Sequence, residues 1–319
     1  MTTAMSTHGV GLVEAMEALP DPVVVLFVLL TQLGDLWFYF LALSLLYFFG
    51  DRLPRLGDAV DRRRAAYLVA LALGAAALTA VLKGTFAFPR PPGAGTAELA
   101  VLFPDPLRGL YASAATGDGY GFPSGHATGA AVVWVGAATV LGVGSRRARY
   151  AVTGSIVALV ALSRVVIGVH FLADVVVGLA VGLCYLAVAD RLSGRGTSPG
   201  RAFSLAVAVA LAGLLLVGFE SEPVALLGAT LGARIVWGAL GTSLLAVPTS
   251  RREGVVNLAV GLPAFGGLFG AVYALEPAPP LAFLGTALAL AGILATPLLG
   301  EYVGDRLEGP NEGPRGPGA

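Results

Sequence analysis

Apolar runs of membrane length recur along this chain of 319 residues, and they constrain its fold more than any other feature. About twenty mainly apolar residues span a bilayer core as a helix, and inside the bilayer every backbone N–H and C=O must find its partner within the chain. Nine such runs can be placed, at residues 23–49, 65–83, 126–144, 150–168, 172–190, 202–219, 224–247, 255–275 and 280–299. The expected fold is all-α, an integral membrane bundle of about nine transmembrane helices. Composition agrees: 56% of residues are hydrophobic, 13% are charged, and the mean hydropathy is +0.80. A formal net charge of zero argues against a nucleic-acid partner. The single cysteine, Cys184, lies in an apolar run and excludes both an intrachain disulfide framework and a cysteine-based metal site.

Charge in the connections sets an orientation. Arg52, Arg55, Arg62, Arg63 and Arg64 lie between the first two runs, and Arg146, Arg147 and Arg149 between the third and fourth. Arg191, Arg195 and Arg201 follow the fifth, and Arg251 and Arg252 follow the seventh. With nine spans all four loops share one side, while Glu98, Asp105, Asp118, Glu220, Glu222 and Glu276 share the other. The positive-inside rule then places the N-terminus outside and the C-terminus inside, in a multi-pass protein of the cell membrane. Residues 1–21 hold no Lys or Arg, so the positive region of a cleavable secretory signal is not expected there. Residues 307–319, rich in Gly and Pro, read as a disordered tail. The longest stretch between spans, 84–125, is apolar in part, lacks a strong period and reads as an outer loop or lid against the membrane surface.

Polar chemistry is concentrated in three motifs at the ends of these runs. They are Lys83-x6-Arg90-Pro91, Pro123-Ser124-Gly125-His126 and Ser163-Arg164-x5-His170-x3-Asp174. Lys83 is the one lysine of the chain, and His126 and His170 are two of its three histidines; the third, His8, is no site candidate. The topology puts all three motifs on the outer side. Lys83 closes a helix, and Pro89, Pro91 and Pro92 hold the chain around Arg90 extended. Two cations can then converge on one anion, the lysine as a compact charge and the arginine as a fork matched to phosphate oxygens. The competing reading is a snorkelling lysine and a surface arginine. Ser124 and Gly125 open a helix whose free N–H groups suit a phosphate, and His126 falls in its first turn; a helix cap with an interfacial histidine is the alternative. His170 and Asp174 share a helix face, so the carboxylate can fix the imidazole tautomer and leave Nε2 as nucleophile or base. A pair that only stabilises a helix start competes with that. Ser163 and Arg164 would add a hydroxyl and a third cation.

Taken together and in this order, the motifs resemble the type 2 phosphatidic acid phosphatase superfamily, whose relatives include non-specific acid phosphatases and vanadium haloperoxidases. Every fixed position of that pattern is present, and the resemblance covers residues 65–190. It implies a phosphatase-like helical core at 22–190, preceded by an N-terminal extracytoplasmic segment at 1–21. Residues 191–306 are additional helices, an appended C-terminal module that it does not explain. The implied chemistry needs no metal or other cofactor. His170 attacks phosphorus and is transiently phosphorylated, Asp174 orients it, and His126 protonates the departing oxygen. Lys83, Arg90 and Arg164 would hold the phosphate oxygens, with Ser124, Gly125 and Ser163 at the rim. The implied substrates are lipid phosphates or isoprenyl (di)phosphates in membrane lipid. Passage of the phosphoryl group to an alcohol acceptor, or a non-catalytic lipid transporter with the same fold, are the alternatives.

A few other polar residues stand inside apolar runs. Asp35, with Thr31 and Gln32 one turn earlier, is an intramembrane carboxylate; a hydrogen bond to a neighbouring helix is favoured over pairing with Lys83. Arg234 is expected to snorkel, or to mark a segment that does not fully span. Asn257 and Pro263 are expected to shape helix packing.

Overall fold

The computed structural model describes residues 19–52, 59–247 and 251–308, and the regular structure there is helical throughout. The expectations for His8, Arg55, most of the N-terminal segment and the tail from residue 309 fall outside the described residues. In chain order the helices are α1 (Asp21–Thr31), α2 (Leu36–Phe49), α3 (Arg62–Phe86), α4 (Asp105–Ala115), α5 (Gly125–Val140) and α6 (Arg146–Val166). There follow α7 (Leu172–Ser193), α8 (Pro199–Leu216), α9 (Ser221–Ala246), α10 (Arg251–Val256), α11 (Gly267–Leu275) and α12 (Pro279–Glu308). A π-helical stretch, Asn257–Gly266, joins α10 to α11 and contains Pro263.

Among the described residues seven helical segments are long and apolar enough to cross a membrane, and an eighth is added if α1 and α2 count as one bent span. The chain is thus a multi-pass, all-α membrane protein. The remaining expected span, α5, is a helix of 16 residues. At about 1.5 Å per residue it rises about 24 Å, against about 30 Å for a hydrocarbon core.

Sequence explains the boundaries. Asp61 accepts from the Arg64 N–H (2.7 Å) to start α3, and Ser145 accepts from the Ala148 N–H (3.2 Å) to start α6. Proline occupies the first turn of α1, α4 and α8, where its missing N–H costs nothing. Left-handed Gly194 ends α7.

Helix α3 is the axis of the bundle. Ala65, Ala66, Ala70 and Ala75 lie on it fully or almost fully buried, so neighbouring backbones come close. One apolar cluster joins it to α2, α5, α7, α8, α9 and α12, with Phe48, Phe203, Trp237 and Leu290 among its members. The outward faces carry exposed Leu159, Leu162, Val176, Leu183 and Leu288, suited to lipid. Helices α5 and α7 are in tight contact: a Cβ at Gly178 would lie 2.8 Å from the Ser124 carbonyl oxygen, and one at Gly182 would lie 2.7 Å from that of Thr128. That small-residue stripe fixes the second and third motifs against each other.

Four features refine the sequence expectation or depart from it. The first span, read as one helix, is broken by a 52° bend, because Asp35 is extended and caps α2 by accepting from the Trp37 N–H (3.3 Å). The 84–125 connection, read as a loop or lid without a strong period, contains the helix α4, whose Tyr111 and Ala115 pack with Ala100 and with Val28 of α1. Arg62, assigned to a solvent-facing loop, is buried in an ion pair with Glu253 (2.9 Å) and donates to the carbonyls of Leu244 and Val247. Helix α9 runs unbroken through Arg234, in line with the expected run at 224–247, and the Arg234 Nε donates to Ser204 Oγ of α8 (2.8 Å).

Candidate functional site

The site is built at one end of the bundle, where α3 and α6 finish and α5 and α7 begin. At the opposite end a polar recess of about 340 Å³ is lined by Arg146, Arg149, Arg195, Tyr150 and Asp190, so the arginine-rich connections and the motifs lie at opposite ends.

Lys83 stands in the last turn of α3, which closes at Ala87 in a left-handed conformation. The prolines that follow lead the chain back over the bundle, and Arg90 is pinned there: Nε donates to the Asp118 carbonyl (2.7 Å) and Nη1 to that of Val169 (2.9 Å). The same Nη1 lies 3.1 Å from His170 Nε2. A guanidinium can only donate, so Nε2 is the acceptor and the ring proton resides on Nδ1. Nδ1 faces Asp174 Oδ2 at 3.3 Å. Both neighbours of His170 therefore select one tautomer, with its lone pair on Nε2.

Local backbone chemistry places His170. The chain leaves α6 through a turn in which the N–H groups of Val169 and His170 both donate to the Arg164 carbonyl (3.2 Å each). Asp174 also accepts from the Phe171 N–H (2.9 Å) at the start of α7, so one carboxylate caps the helix and orients the imidazole. His170 is 1% exposed. Burial first, then the cations Arg164, Arg90 and Lys83, hold its pKa well below the usual imidazole value, and the ring stays neutral.

Arg164 is buried with it. Its Nη1 donates to Thr31 Oγ1 (2.7 Å), while its Nε has no acceptor among the described residues. A buried guanidinium N–H without an acceptor is costly, and an anion's oxygen would offset that cost. The serines face backbone instead: Ser163 Oγ donates to the Val160 carbonyl (2.6 Å), and Ser124 Oγ accepts from the Ala127 N–H (3.5 Å) as an N-cap. The Ser124 N–H donates to the Asp174 carbonyl (3.0 Å), tying the second motif to the third. At Gly125 the close neighbour is Thr79, which a Cβ would approach to 3.1 Å. His126 follows in the first turn of α5, and its Nε2 lies 3.6 Å from Asp35 Oδ2.

Two side chains at this end escape the motif reading. Asp35 faces His126, not Lys83, and it accepts from the Trp37 N–H of its own helix. Thr31 meets Arg164. The signal was the Gly34-Asp35 pair inside an apolar run, a helix stop followed by a cap residue. Among the described residues no three His, Cys, Asp or Glu side chains gather where they could hold a metal ion, and the cations whose charge reaches His170 are Arg164, Arg90 and Lys83. No curated protein and no solved structure matches the chain. The PAP2 superfamily does match, over residues 64–196, a stretch that encloses every motif from Lys83 to Asp174; that segment is a type 2 phosphatidic acid phosphatase (PAP2) superfamily domain.

Proposed function

We propose that the protein hydrolyses lipid phosphates or isoprenyl (di)phosphates at the outer face of the membrane, without a metal ion, through a phosphohistidine on His170. The observation that carries this reading is a neutral, buried imidazole whose Nε2 lone pair meets Arg90, beside an Arg164 Nε that has no acceptor among the described residues. An arriving phosphate takes over the Arg90 guanidinium and frees Nε2. Nε2 then forms a bond to phosphorus as the bond to the leaving oxygen breaks, and His126 gives that oxygen its proton. In the second half His126 takes a proton from water, the water oxygen bonds to phosphorus, and the P–N bond breaks. Asp174 holds the proton on Nδ1 and balances the charge that develops on the ring. Lys83, Arg90 and Arg164 act on the equatorial oxygens, where phosphoryl transfer is helped most by fixed charge. Ser124, Gly125 and Ser163 shape the rim, and their present contacts are to the protein itself.

An amphiphilic substrate suits the surroundings. Phe86, Phe88 and Phe122 form an aromatic cluster beside Arg90, and Val101, Leu102 and Leu110 are exposed on the 84–125 connection. In the same reading α5 completes nine spans, residues 22–190 form the catalytic core, and 191–306 support it from the side. The test is phosphate release from a panel of lipid phosphates and diphosphates in detergent with excess EDTA, for wild type and His170→Ala. Release that persists in EDTA and disappears in the variant supports the reading; release that needs added metal, or survives the substitution, overturns it.

A further inference from the structure

The site has a contribution from outside the matched domain. Residues 64–196 hold the three motifs, yet the bent span α1–α2 places Thr31 against Arg164 and Asp35 against His126. The turn between the two half-helices is held from several directions. Trp134 Nε1 of α5 donates to the Leu33 carbonyl (2.9 Å), and Trp37 Nε1 donates to Gln32 Oε1 (3.0 Å). Gly34 lies flat against the neighbouring elements: a Cβ there would come 3.3 Å from the His126 ring and would collide with Val160. Thr31 is fully buried. A helix cap alone would not require this arrangement, since serine or asparagine caps a helix as well as aspartate does. One oxygen of Asp35 serves the cap, and the other faces the imidazole.

We propose that Asp35 is a positioning residue for His126, so that the catalytic unit is the PAP2 domain together with the bent first span. With Nε2 turned to Asp35, Nδ1 is the nitrogen left for the departing oxygen and for water. A carboxylate beside an imidazole also stabilises the charged ring that proton donation requires. The 3.6 Å separation is longer than a good hydrogen bond, as acid–base contacts in unloaded sites commonly are. Thr31 does for Arg164 what the turn does for Asp35: it fixes one guanidinium nitrogen and so aims the rest.

This inference rests on the proposed phosphohistidine chemistry, and the test separates the two. Asp35→Asn keeps the shape and the cap oxygen but removes the charge; Asp35→Ser keeps a cap oxygen and no longer reaches His126. Each is compared with wild type on two substrates, p-nitrophenyl phosphate, whose leaving group departs without a proton, and phosphatidate, whose alkoxide needs one. The readout is kcat/KM, which reports the steps through departure of the leaving group. The expected result is a loss of at least about tenfold on phosphatidate, toward the roughly 10²-fold of a lost general acid, with p-nitrophenyl phosphate nearly unchanged. Equal losses on both substrates, or none on either, would make Asp35 a structural cap and overturn the inference. Wild type inactive on both substrates removes the phosphatase reading itself, and this inference falls with it.

Discussion

His170 is gripped on both ring nitrogens, by Arg90 on one side and Asp174 on the other, and that arrangement makes its protonation state testable. Burial and three nearby cations disfavour an added proton, so the neutral ring proposed as the nucleophile persists as pH falls through the ordinary imidazole value of about 6.5. In the pH profile of kcat/KM the acid limb assigned to His170 is expected below that value. Arg90→Met removes one of the cations, and the limb should move upward while the maximum falls; a limb that stays in place would deny Arg90 its electrostatic role. At this scale much was legible in the sequence, because a chain with one lysine and three histidines leaves few candidates. What was not legible is which partner each side chain takes. Asp35 was visible as a carboxylate in an apolar run, but its meeting with His126 depends on the register of two helices about ninety residues apart, which no local pattern encodes.

Helix α5 opens at the second motif and α7 carries Asp174 of the third, and their closeness depends on Gly178 and Gly182. Gly182→Leu would press a side chain onto the Thr128 carbonyl and force the helices apart, at a cost of about 1–3 kcal/mol, or more if the pair cannot shift. The expected outcome is a lower melting temperature in detergent, with activity lost below the melt as the Ser124–Asp174 backbone link opens. Retention of both would show that the stripe does not set the site. The helices themselves were readable from apolar length alone, as were the starts supplied by Pro, Ser and Asp. Two things were not. The bend at Asp35 competes with an unbroken apolar run, and the extended cap conformation prevails because the turn is held by Trp134 from another helix. Residues 98–115 show no strong period in sequence, yet 98–102 and 105–115 are helical, and Tyr111 and Ala115 find a surface on α1.

Across the whole molecule, the buried Arg62–Glu253 pair ties the start of α3 to the C-terminal helices. Asn257 donates to the same carboxylate (2.8 Å), and Tyr47 lies beneath the guanidinium. Removing one partner of a buried pair leaves an uncompensated charge, at a cost of about 3–5 kcal/mol, whereas replacing both with apolar residues costs far less. Arg62→Met is therefore expected to lower the melting temperature more than the double variant Arg62→Met/Glu253→Leu does; equal losses would mean the pair is incidental. Glu253 could not be assigned to Arg62 from sequence, since 191 positions separate them. The short helix α5 has a further consequence. In the proposed nine-span reading α5 falls about 6 Å short of the hydrocarbon core, which sets its motif-bearing end below the headgroup plane or thins the bilayer around it. A lipid phosphate would then arrive sideways, by diffusion within the leaflet, with its tail never entering water. Turnover would follow the mole fraction of substrate in the surface, so that diluting a fixed amount of lipid into more detergent slows the reaction although the concentration in the tube is unchanged.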